Sequence, residues 1–139
     1  MQTLRKTILV FLFAMLLGAG CEHADPLDPN RLEPTLSSIQ ANILNLNCAL
    51  SGCHLGGAAP FGLDLSTGNA HGNLVNIGST QCGGLPRVSP GDPDNSCIVR
   101  KLEGGPGISG LQMPRGRAPL PQEQIAIIRQ WIADGAQDN

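Results

Sequence analysis

The residues best suited to chemistry lie between Asn47 and Gly57, in NCALSGCHLGG, where four residues separate Cys48 from Cys53 and His54 follows directly. Two thiols and an imidazole in this order admit three chemistries. Cysteine sulfurs can add across the vinyl groups of a porphyrin while the histidine after the second one ligates iron. The usual spacer for haem c attachment is two residues, and the longer CxxxxCH loop can bulge at Ser51 and Gly52. The same donors could enter a zinc tetrahedron completed by Cys82 or Cys97, although adjacent Cys53 and His54 crowd such a site. The third chemistry is a disulfide between Cys48 and Cys53 themselves. The motif alone leaves all three open.

The elements that must position these residues read as helices. Thr35 can cap a first helix in which Leu36, Ile39, Ile43 and Leu46 recur at helical spacing up to Cys48. Gly56 to Asn69 is glycine-rich with Phe61, Leu63 and Leu65 as apolar punctuation, the pattern of a loop wrapped over something. A short helical turn fits Ala70 to Val75. GDPDNSCIVRKLEGG carries helix signals in order: Asp92 as cap, Pro93 at the first position, Asp94 in the first turn, Arg100 and Lys101 in the last, then Gly104. Ile98 and Leu102 are expected to face inward there. Pro121 opens a last helix whose apolar face is Ile125, Ile128, Trp131 and Ile132, and Gly135 ends it. No strand pair and no internal repeat is legible, so the fold class is all-α.

The chain has 139 residues, enough for one domain, and a formal charge of −2 that becomes more negative if Arg5 and Lys6 are lost. Nothing in it suggests nucleic-acid binding. Residues 1–20 have the form of an export signal: Arg5 and Lys6, the apolar run ILVFLFAMLL, then small residues before Cys21. That ending resembles the lipobox of bacterial lipoproteins, which implies a lipid anchor on Cys21 and a place in the cell envelope, facing the periplasm or the exterior. Residues 21–34 then form a polar, proline-rich tether, and residues 35–139 the domain. Removing Cys21 from the count leaves Cys48, Cys53, Cys82 and Cys97. In an oxidising compartment Cys82 and Cys97 are expected to bond to each other. Of the three phenylalanines and one tryptophan, only Phe61 and Trp131 fall beyond the leader. A domain so poor in aromatics needs a staple, a metal or a large apolar group, which favours haem.

Taken in order, CALSGCH, FGLDLSTG, RVSPGDPDNSCIVRKLEG, QMP and LPQEQIAIIRQWIADGA resemble the single-haem cytochrome c domains found in bacterial lipoproteins and in planctomycete-type cytochromes. The resemblance covers nearly all of residues 35–136. It implies a cytochrome c-like fold of three to four short helices around one covalent haem c, held by Cys48 and Cys53, with His54 and Met113 as axial iron ligands. A thioether ligand raises the reduction potential relative to a second histidine. His71 competes with Met113 for the sixth position, although the NAHGN turn fits a solvated histidine.

The expected function is therefore a membrane-tethered single-electron carrier, not an enzyme, exchanging electrons with redox partner proteins. Two other readings stand beside it. An open iron position would make a haem sensor of small ligands. Without haem, the chain would be a disulfide-stabilised surface lipoprotein with a structural or interaction role.

Overall fold

A computed structural model describes residues 31–139. The expected export signal, Cys21 and most of the tether lie outside the described residues. Thr35 caps α1 (Leu36–Ile39) by accepting from the Ser38 amide at 3.3 Å. The helix then widens into a π-helical stretch, Gln40–Leu44, and closes as α2 (Asn45–Asn47). The expected first helix is thus continuous but not uniformly α. Buried Gln40 occupies the widened turn, with its amide donating to the Leu65 carbonyl at 2.9 Å. That bond ties the helix to the glycine-rich loop.

A 3₁₀ turn at Pro60–Gly62 precedes α3 (Ala70–Leu74), and a second 3₁₀ turn covers Thr80–Cys82. The expected middle helix is broken in two. Asp92 caps a 3₁₀ turn, Pro93–Asn95, and extended Ser96 separates it from α4 (Cys97–Glu103). Ser96 is fully buried, and its hydroxyl donates to the Asp92 carbonyl while accepting from the Ser89 amide, each at 2.9 Å. That local pairing competes with helix continuation. Gly104 ends α4 in the left-handed region at φ 71. The last helix, α5 (Gln122–Ala133), buries Ile125, Ile128, Trp131 and Ile132, the face expected from the sequence.

Among the described residues there is no strand, only isolated bridges at Val75–Val88 and Gly78–Pro86. The result is a small all-helical domain. α5 packs on α1 and α4, and Ile39, Ile43, Leu44, Leu74, Val99 and Trp131 complete an aliphatic core around one indole. Asn139 reaches back to α1, accepting from the Leu36 amide through its side chain at 2.9 Å and from the Ser37 amide through its backbone at 2.8 Å. Those contacts satisfy amides that the first helical turn leaves without partners. On the far side of α5, Arg129 pairs with Asp94 and with Glu103, the latter at 3.1 Å.

Candidate functional site

Helix α2 delivers Cys48 into a tight loop. The Cys48 amide donates to Leu44 at 2.9 Å, the Cys53 amide to Leu50 at 2.9 Å, and the His54 amide returns to the Cys48 carbonyl at 3.0 Å. Gly52, at φ 77, makes that return possible. Cys48 and Cys53 are both free thiols. Burial, reinforced by nearby Cys53, pushes the Cys48 thiol up to about 11, so it stays protonated at neutral pH. The His54 ring places Nδ1 3.2 Å from the Leu63 carbonyl. A carbonyl only accepts, so Nδ1 carries the proton and Nε2 is left as the acceptor. Burial holds the ring below its usual range, in the neutral form.

These side chains open onto a cavity of about 250 Å³ between the loop, α4 and α5. Leu63, Leu65, Leu74, Ile98, Leu102 and Ile128 supply much of its apolar wall, and Met113 contributes from the segment before α5. The structure therefore brings Cys48, Cys53, His54 and Met113 to one cavity. It does not bring His71 there. That ring, expected to be solvated, is half-buried and its Nε2 lies 2.9 Å from the Ala136 carbonyl, tying α3 to the chain after α5. Cys82 and Cys97 form the expected disulfide, with Cα atoms 5.7 Å apart and both residues buried. Cys97 also touches the cavity.

Sequence reasoning missed the cationic part of the wall. Arg87, Lys101, Arg115 and Arg117 all line the cavity, and among the described residues no aspartate or glutamate does. The RGR run at 115–117 was a visible signal. Arg87 and Lys101 were not, because loops and a helix turn bring them in from distant places.

The haem expectation is corrected by this geometry. Among the described residues no group of three or more His, Cys, Asp or Glu side chains is placed to hold a metal ion. The stability argument for haem also lapses. The Cys82–Cys97 bond and the aliphatic core around Trp131 supply the staple and the apolar mass that the composition called for. Cys48, Cys53, His54 and Met113 are thus cavity residues, and the covalent haem c, its iron ligation and the electron-carrier function are withdrawn, together with the haem sensor. The zinc alternative fails on the same absence of a ligand cluster among the described residues. No family model, curated protein or solved structure matches the chain.

Proposed function

We propose that the chain is a haem-free, disulfide-stabilised lipoprotein of the cell envelope with an interaction role: a non-catalytic domain that takes a small apolar molecule into its cavity. One observation carries the reading. A domain with a dense core keeps an apolar cavity of about 250 Å³ bounded by leucine and isoleucine side chains. An apolar cavity of roughly 150 Å³ is already large enough to take benzene. The Cys82–Cys97 bond fits an oxidising compartment, in keeping with an export signal and a lipid on Cys21. The chain course also supports a cytochrome c-like frame used without its prosthetic group. A first helix runs into Cys48–His54, a short middle helix follows, and a last helix packs on the first.

The test combines intact mass with ligand binding. The purified protein should show no prosthetic-group mass, one disulfide, and saturable binding of a neutral aromatic such as naphthamide. Ile98→Trp, which fills the cavity from α4, should abolish that binding without unfolding the domain. A covalent haem in the wild type, or no saturable binding, would overturn the reading.

A further inference from the structure

The charges around the cavity are one-sided. Arg87, Lys101, Arg115 and Arg117 face it, and among the described residues no carboxylate lines it, in a chain whose formal charge is −2. Their hydrogen bonds do not neutralise them. Arg87 donates to the Phe61, Gly62 and Asn73 carbonyls, Lys101 to those of Ser109 and Leu111, and Arg117 to Leu46 at 3.2 Å. Arg115 has no hydrogen bond or ion pair among the described residues, and its exposed side chain is free to turn toward a ligand. The ion pairs with Asp94 and Glu103 go to Arg129.

Backbone carbonyls orient a guanidinium or an ammonium but leave its full charge in place. A concave apolar surface beside fixed, uncompensated positive charge is complementary to one class of small molecule. Building on the binding reading above, we propose that the cavity's ligand is a soluble amphiphile with an acidic head. Its apolar body lies against Leu63, Ile98 and Leu102, and its carboxylate is taken by Arg115 and Arg117 at the rim. Arg115 is the principal contact because nothing among the described residues occupies it. A planar guanidinium holds a carboxylate through two parallel hydrogen bonds, which sets the direction in which the ligand enters.

Naphthoate and naphthamide make a matched pair, since they share size and ring system and differ in charge. Calorimetric titration of the purified chain should find naphthoate bound about tenfold more tightly than naphthamide, the margin expected of one charge-assisted contact. Added salt should weaken naphthoate alone. In Arg115→Gln, Arg117→Gln the advantage of naphthoate should disappear while naphthamide binds as in the wild type. Equal affinities in the wild type, or a naphthoate affinity unmoved by the double substitution, would overturn the acidic-head proposal and leave the apolar-binding reading intact. If neither compound binds, both fall together.

Discussion

Replacing both bridged cysteines, Cys82→Ala with Cys97→Ala, isolates the contribution of the disulfide to a domain with few aromatics. The bond joins residues separated by 15 positions. Closing a loop of that size in the unfolded chain is worth about 3 kcal/mol by the chain-entropy estimate. The loop is well fastened by other means: the Ser79 amide to Leu85 at 2.8 Å, the Cys97 amide to Pro86 at 2.9 Å, the Ile98 amide to Arg87 at 3.0 Å and the Ser109 amide to Gln81 at 2.8 Å. Those bonds should keep the native loop in place after the bridge is cut, so the loss acts through the unfolded ensemble. Each kcal/mol moves the melting temperature of a domain this small by about 4–8 °C, so a fall of about 12–24 °C is expected. Thermal melts followed by circular dichroism would measure it. Reductant should bring the wild type toward the variant and leave the variant unchanged. A fall of less than about 3 °C, with native spectra at low temperature, would refute the reasoning.

Four other perturbations test separate parts of the structure. With its thiol at about 11, Cys48 at pH 8 should have about one thiolate in a thousand, against about a quarter for an ordinary free thiol, so mass-resolved alkylation should label exposed Cys53 long before Cys48. The same shift predicts a stability that falls as pH rises from about 9 toward about 11, because the unfolded thiol ionises first. The depressed His54 predicts the mirror effect, a loss as pH drops below 6.5, where the unfolded ring gains its proton first; urea melts across pH would register both limbs. Gly104→Ala forces a Cβ to within 2.8 Å of the Gln112 side chain at a φ of +71 and should cost about 1–2 kcal/mol in urea unfolding. Gly105→Ala, with open space around its Cβ, should stay within about 0.5 kcal/mol. Ile132→Ala, at 0% exposure, should cost about 2–5 kcal/mol, whereas Leu111→Ala, at 60%, should change stability by less than about 0.5 kcal/mol.

What could be read in advance was what local physics decides. Helix α5 was legible end to end, because Pro121, the four-residue apolar face and Gly135 are all local signals. The Cys82–Cys97 pair was legible from the cysteine count and the expected compartment. The break at Ser96 was not, since it depends on a buried hydroxyl bonded to Asp92 and Ser89, and the π-helical turn depends on Gln40 finding the Leu65 carbonyl across the fold. At the site, the gathering of Cys48, Cys53, His54 and Met113 could be anticipated, but the chemistry assigned to them could not be upheld. The expected haem rested on donor types in order along the chain, whereas a metal site requires a cluster in space, and none is present among the described residues. His71 was read as solvated because its neighbours are turn formers, yet the carbonyl that engages it belongs to Ala136, beyond the last helix.

A cavity is a liability in a small domain, because side chains facing it forgo dispersion contacts that a packed core would supply. Its survival here needs a reason beyond poor packing. Apart from Arg115, the imidazole and the cations of its wall are pinned to backbone: His54 to Leu63, Lys101 to Ser109 and Leu111, Arg117 to Leu46, and Arg87 to Phe61, Gly62 and Asn73. Backbone partners fix these side chains in the wall without drawing on any group inside the cavity. Cys97 places the disulfide in that wall, joining α4 to the turn at Thr80–Cys82. A wall fastened in this way would lower the ordering cost of the proposed binding. The backbone at Met113 is held to α4 by its amide, which donates to the Lys101 carbonyl at 2.8 Å. The hydrogen bonds that hold Arg87, Lys101 and Arg117 in the cavity wall thus go to carbonyls that leave their positive charges uncompensated among the described residues.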